Sequence, residues 1–274
     1  MKIIKIIGMF MLAIVIMGIS QTIALLFDSF LPFFGVGTLL SSITYILLTF
    51  FIVRWIIIKM FKDSLSSYRI TKPIFHPLYL ILGIALPLFV YGIYFIFIPG
   101  DFTVHHFNSI SKTVHVLSYT IFMQAIAGAI VEEIVCRGLL MGYIEKKTNI
   151  RIGIVATAMF FGVIHLLNGA LSVTSCLLLL VSGTLVGIMF GVATYRFNTI
   201  WASITLHFFW NIFQVIYITA KETDDNVFQY VLRFKHMVIT GGQFGFETSI
   251  ISTIGYIVVI IILLVSNKKK RKLG

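Results

Sequence analysis

The chain has 274 residues, 59% of them hydrophobic and only 11% charged, and its mean hydropathy is +1.02. That composition excludes an ordinary water-soluble globular domain and points to a polytopic membrane protein. The formal net charge of +11 would suggest nucleic acid in a soluble protein. Here the basic residues fall in short loops between apolar runs, so the expected surroundings are a lipid bilayer and no nucleic acid.

A bilayer core about 30 Å thick takes roughly 20 apolar residues per helix. On that measure the sequence predicts eight spans, over residues 3–26, 38–61, 77–99, 115–144, 151–167, 172–194, 197–219 and 248–266. Little chain is left for anything else. Residues 1–274 are therefore read as a single membrane domain with an all-α fold, a polytopic helix bundle of about eight transmembrane helices. Lys2 and Lys5 ahead of the first run imitate a signal peptide, but no small-residue cleavage site follows, and the run is read as an uncleaved first helix. In the longest external loop, 220–247, the stretch Val227 to Phe234 is expected to lie in the membrane interface as an amphipathic segment. The tail from Lys268 to Lys272 reads as a stop-transfer anchor. Cys136 and Cys176 both fall inside apolar runs, and no structural disulfide is implied.

Charge asymmetry supplies an independent check on the eight spans. With both termini cytoplasmic, sixteen Lys and Arg residues fall on the inner side and four, Lys112, Lys221, Arg233 and Lys235, on the outer side. The acids run the other way: Asp63 and Glu145 are inside, and Asp28, Asp101, Glu222, Asp224, Asp225 and Glu247 are outside. The remaining basic residue, Arg137, is left within the membrane.

Ionisable groups at the bilayer centre cost about 2.5–3.5 kcal/mol each on insertion scales, so those retained there need a partner or a purpose. Glu132, Glu133 and Arg137 stand in the fourth predicted span, His165 in the fifth and His207 in the seventh. Glu133 and Arg137 are spaced i, i+4 and share a helix face, which makes an ion pair available. Glu132 points about 100° away and is free for something else. Phe161 lies one turn before His165, and Asn211 lies one turn after His207. At about 1.5 Å per residue, Glu132 and Glu133 lie roughly 20 Å from Lys146, His165 roughly 21 Å from Arg151, and His207 roughly 17 Å from Arg196. Three helices thus deliver polar groups to one layer.

A carboxylate and two imidazoles in a dry pocket can activate water, by general-base catalysis or through a metal, and can stabilise an oxyanion. Each residue alone has a plainer reading. An intramembrane His is commonly a helix-to-helix hydrogen-bonding group, and a Glu–Arg pair is commonly structural. Their conjunction at one depth favours a hydrolytic site.

At these residues the sequence resembles the CPBP family of intramembrane proteases, which includes the CAAX prenyl endopeptidases and the bacterial Abi and bacteriocin-processing proteins. The family's E-E-x-x-x-R stands as Glu132-Glu133-Ile134-Val135-Cys136-Arg137, its F-x-x-x-H as Phe161 to His165, and its H-x-x-x-N as His207 to Asn211. The resemblance covers residues 115–215, which are taken as the catalytic core. One departure is Cys136, where bacterial relatives commonly carry an aromatic residue. The resemblance implies an endopeptidase that cuts peptides or protein tails at the membrane, with Glu132 and His165 activating water and Glu133, Arg137, His207 and Asn211 completing the site. It leaves open a divalent metal such as zinc or no cofactor at all. No H-E-x-x-H helix is present to argue for zinc. Two other readings are a non-catalytic immunity or regulatory protein on the same scaffold and a proton-coupled transporter, although no broken-helix pair or inverted repeat is evident for the latter. Richness in Ile, Phe and Lys suggests a bacterial cell membrane.

Overall fold

The computed structural model describes residues 2–31, 33–168 and 172–266. The basic tail read above as an anchor lies outside them. Among the described residues, eight helices of more than ten residues run in chain order. α1 is Lys2–Phe30, α2 is Val36–Trp55 with a π-helical extension over Ile56–Met60, and α3 is Pro77–Phe97. α4 is the composite Ile110–Lys147, α5 is Ile150–Ile164, α6 is Val173–Phe197, α7 is Trp201–Ile212 and α8 is Ile250–Val265.

Local chemistry sets several of the helix starts. Side chains of His76, Ser109, Asn149, Ser172 and Ser249 each accept a hydrogen bond from a backbone N–H in the first turn of α3, α4, α5, α6 and α8 respectively. These bonds satisfy donors that a helix leaves unpaired at its N-terminus. At the end of α6, Asn198 takes the left-handed conformation at φ 52° that reverses the chain into α7.

Among the described residues, six helices are long and apolar enough to cross a membrane, namely the first six. α8 is apolar but has 16 residues, and α7 has 12. The expected seventh span over 197–219 is thus corrected. Its helix stops at Ile212, continues as a 3-10 turn over Phe213–Val215, and gives way to a strand. The break is chemically provided for, because the Tyr91 hydroxyl lies 2.8 Å from the carbonyl of Phe213 and 3.0 Å from that of Ile216. An unwound segment at membrane depth needs such partners.

The strand belongs to a small sheet added to the helical bundle. β1 is Gly100–Val104, β2 is Ile216–Thr219 and β3 is Phe228–Leu232, in the order β1-β3-β2. β3 runs antiparallel to β1, with Gly100 opposite Leu232, and parallel to β2. The segment expected to lie flat in the interface is therefore the central strand of a cap. Pairing satisfies its backbone from both sides, and Gln229, Tyr230 and Leu232 are buried.

α5 and α6 pack through small residues. A Cβ on Gly187 would stand 2.7 Å from the Cα of Ala158, and one on Gly183 would stand 2.9 Å from the Cα of Gly162. Small-residue seams of this kind let membrane helices approach closely. At the end of the bundle that carries most of the basic residues, Arg69 makes two hydrogen bonds to Glu145, at 2.6 and 2.9 Å, and Lys146 pairs with Asp63. At the opposite end the sheet and the loops around it roof the bundle. There His105 stands 3.6 Å from Glu222 and 3.8 Å from Asp224, and His115 stands 3.7 Å from Asp28.

Candidate active site

α4 is not a uniform helix. A π-helical stretch over Tyr119–Gly128 gives way to an α turn over Ala129–Glu133, and a second π stretch covers Ile134–Leu140. The two glutamates thus sit on one ordinary turn between two widened ones, a kind of local irregularity that recurs at functional sites.

Glu133 and Arg137 are both fully buried. Glu133 Oε1 accepts from Arg137 at 2.9 Å and lies 3.1 Å from His207 Nδ1. A second guanidinium nitrogen of Arg137 donates to the carbonyl of Gly187 on α6 at 3.2 Å. The guanidinium also rests over the rings of Phe161 and Phe190, 4.6 and 5.1 Å from their centroids. Cation–π contacts of this kind gain strength when desolvated. Arg137 is therefore held from three helices, and it fixes Glu133 in turn.

His207 is stacked on Phe190 at 4.7 Å between ring centroids, its Nδ1 turned to Glu133. Its Nε2 is 4.0 Å from Glu132 Oε2. That carboxylate oxygen is buried and has no hydrogen-bond partner. An unsatisfied buried oxygen is costly, and in a polar cavity it is a natural seat for a water. His165, on the first turn after α5, has Nδ1 2.7 Å from the carbonyl of Phe161. A carbonyl can only accept, so the proton sits on Nδ1 and Nε2 is left as the basic nitrogen. Asn211 Nδ2 donates to the carbonyl of Gln124 at 3.1 Å, and its Oδ1 accepts from Gln214 at 3.4 Å.

Glu132, His165, His207 and Asn211 line one cavity of about 900 Å³. Glu133 and Arg137 stand behind it as buried support. Sequence spacing anticipates the Glu133 to Arg137 pair and the separate direction of Glu132. The hydrogen bond from His207 to Glu133 is additional, and His207 rather than His165 is the imidazole in reach of Glu132. Among the described residues no hydrogen bond joins Glu132 to His165. Cys136 is buried in the core and reaches the cavity wall.

The sequence reading assigns no site role to Phe190, Gln214 or Glu247. Gln214 lies one turn beyond Asn211 and donates to the carboxylate of Glu247, which sits on the turn Phe246–Thr248 just ahead of α8. An isolated acid immediately before an apolar run is the signal that could have marked it.

His207 and His165 turn Nδ1 to Glu133 and Phe161 respectively, and each keeps Nε2 for the cavity. Among the described residues no group of three or more His, Cys, Asp or Glu side chains is placed to hold an ion. The chemistry available is that of a carboxylate, two imidazoles and a carboxamide around a shared cavity.

Among curated proteins there is no match to the chain. Residues 114–213, which carry all six of the expected site residues, match the family described as type II CAAX prenyl endopeptidase Rce1-like, so this segment is similar to the membrane proteases of that family.

Proposed function

We propose that this protein is an intramembrane endopeptidase that cuts membrane-associated peptides or protein tails with a water activated by Glu132. The observation that carries this reading is the buried, unpartnered Oε2 of Glu132 on a cavity shared with His165, His207 and Asn211. Glu132 Oε2 and His207 Nε2, 4.0 Å apart, can both reach one water at about 2.8 Å.

In this mechanism Glu132 takes a proton from water as its oxygen attacks the scissile carbonyl carbon, and the carbonyl π electrons move to the oxygen. His165 presents Nε2 to the same space and orients the water. Arg137 offsets the charge of Glu133. His207, with Nδ1 against Glu133 and Nε2 facing Glu132, lies beside the place where the oxyanion forms. Asn211 adds its second Nδ2–H, since its Oδ1 is turned to Gln214. Preorganised donors of this kind stabilise charge as it develops. Collapse of the tetrahedral intermediate passes the proton from Glu132 to the leaving amine and frees two peptide products.

The same reading places the chain in a cell membrane, bacterial by composition, with both termini cytoplasmic. The crowding of Arg69, Lys146 and their basic neighbours at one end of the bundle supports that orientation. The test is hydrolysis of membrane-anchored peptides by the full chain in proteoliposomes made in ¹⁸O water. One ¹⁸O in the new carboxyl group identifies the cleavage as hydrolysis. Cleavage that persists in Glu132→Gln refutes the assignment.

A further inference from the structure

Beyond the matched segment, the cap builds the outer part of the cavity, and its charges are of one sign. The acids on the cavity wall are Glu132, Asp225 and Glu247, and among the described residues no Lys or Arg lines it. Glu247 accepts from Gln214 through a side-chain oxygen and from the Tyr256 hydroxyl, at 3.0 Å, through its backbone carbonyl. Burial pushes the Glu247 carboxyl up to about 7, with His207 and Trp210 opposing the rise and Glu132 adding to it. Of these neighbours His207 is the one that can bear positive charge, and it already lies against Glu133 and Glu132. Asp225 stands exposed at the mouth. Tyr217 lines the same cavity as both acids, and burial raises its hydroxyl, with the charges of Glu247 and then Asp225 adding to the rise.

A carboxylate enclosed without a cation of its own is stabilised by whatever cation the ligand brings, and a like charge there is penalised. We propose that Glu247 and Asp225 form a cation-recognition subsite, and that the peptide segment entering the cavity carries a Lys, an Arg or a free amino group near the cut bond rather than a free carboxylate. This rests on the cavity being the peptide site proposed above. It deepens that reading by assigning the charge class of the substrate.

The test uses the full chain in nanodiscs of zwitterionic lipid. Three fluorescent hydrophobic peptides are compared, identical except for one central Lys, Gln or Glu and all amidated at the C-terminus. Anisotropy, corrected for binding to protein-free discs, reads affinity, and mass spectrometry of the same samples reads cleavage. The wild type is expected to bind the Lys peptide at least about ten-fold more tightly than the Glu peptide, the scale of one charge-assisted hydrogen bond. In the double variant Glu247→Gln, Asp225→Asn that ratio is expected to fall to about two or less. Asp225→Asn alone, at an exposed position, is expected to reduce it part of the way. Equal or tighter binding of the Glu peptide to wild type, or a ratio unchanged in the double variant, overturns the proposal. Preferential Lys binding without any cleavage upholds the subsite and counts against hydrolysis. Cleavage of all three peptides with no charge preference does the reverse.

Discussion

Replacing Arg137 with Met removes a cation from the most enclosed part of the bundle and leaves its partner behind. Arg137 donates to Glu133 at 2.9 Å and to the Gly187 carbonyl at 3.2 Å, and it lies on the rings of Phe161 and Phe190. Glu133 is fully buried and its Oε2 already has no hydrogen-bond partner. Without the guanidinium, that carboxylate keeps only His207, and the expected cost is about 3–5 kcal/mol, the range for breaking a buried pair. Converting Glu133 to Gln in the same chain removes the stranded charge. The double variant is expected to be more stable than Arg137→Met alone by about 2 kcal/mol, short of full recovery because the ring contacts are still missing. Reversible unfolding in bicelles, read for wild type, both single variants and the double, closes the cycle. A cost below about 1 kcal/mol for Arg137→Met, or strict additivity of the two changes, would show that the pair is not the electrostatic support described here.

Asn211→Ala removes one donor to the oxyanion and is expected to lower kcat about 100-fold with little change in KM, measured on a cleavable anchored peptide. Because no group of three or more His, Cys, Asp or Glu side chains is placed among the described residues to hold an ion, chelators are expected to leave the cleavage rate unchanged; inhibition reversed by added zinc would contradict the mechanism proposed from these side chains. Glu247 supplies a pH dependence. Its carboxyl is raised from 4.5 to about 7, so the folded state holds the proton more tightly than the unfolded chain does. Stability is therefore expected to fall as pH rises from 4.5 through about 7, and Glu247→Gln to flatten that fall, as read by thermal unfolding at pH 5 and pH 8.

Hydropathy finds the six long helices because each carries its signal locally, in a run of apolar residues. It fails at Ile216–Thr219 and Phe228–Leu232, whose apolar content looks like span or interface. What makes them strands is a partner far away in sequence, Gly100 for Leu232 and Phe228 for Ile216. No local pattern records such pairing. The polar site divides in the same way. The spacing of Glu133 and Arg137 is legible because i, i+4 neighbours meet on any helix. The contact of His207 with Glu133 depends on how α7 lies against α4. The π turns that flank Glu132 leave no mark in composition. Gln214 and Glu247 meet only because the cap folds back over the cavity, so their roles emerge from tertiary structure alone.

The most direct test of the central claim is the cleavage rate of a membrane-anchored peptide by Glu132→Gln against wild type, both in liposomes and both with wild-type unfolding stability. Loss of the general base predicts a fall of at least about 100-fold. A folded Glu132→Gln protein that cuts as fast as wild type would contradict the account.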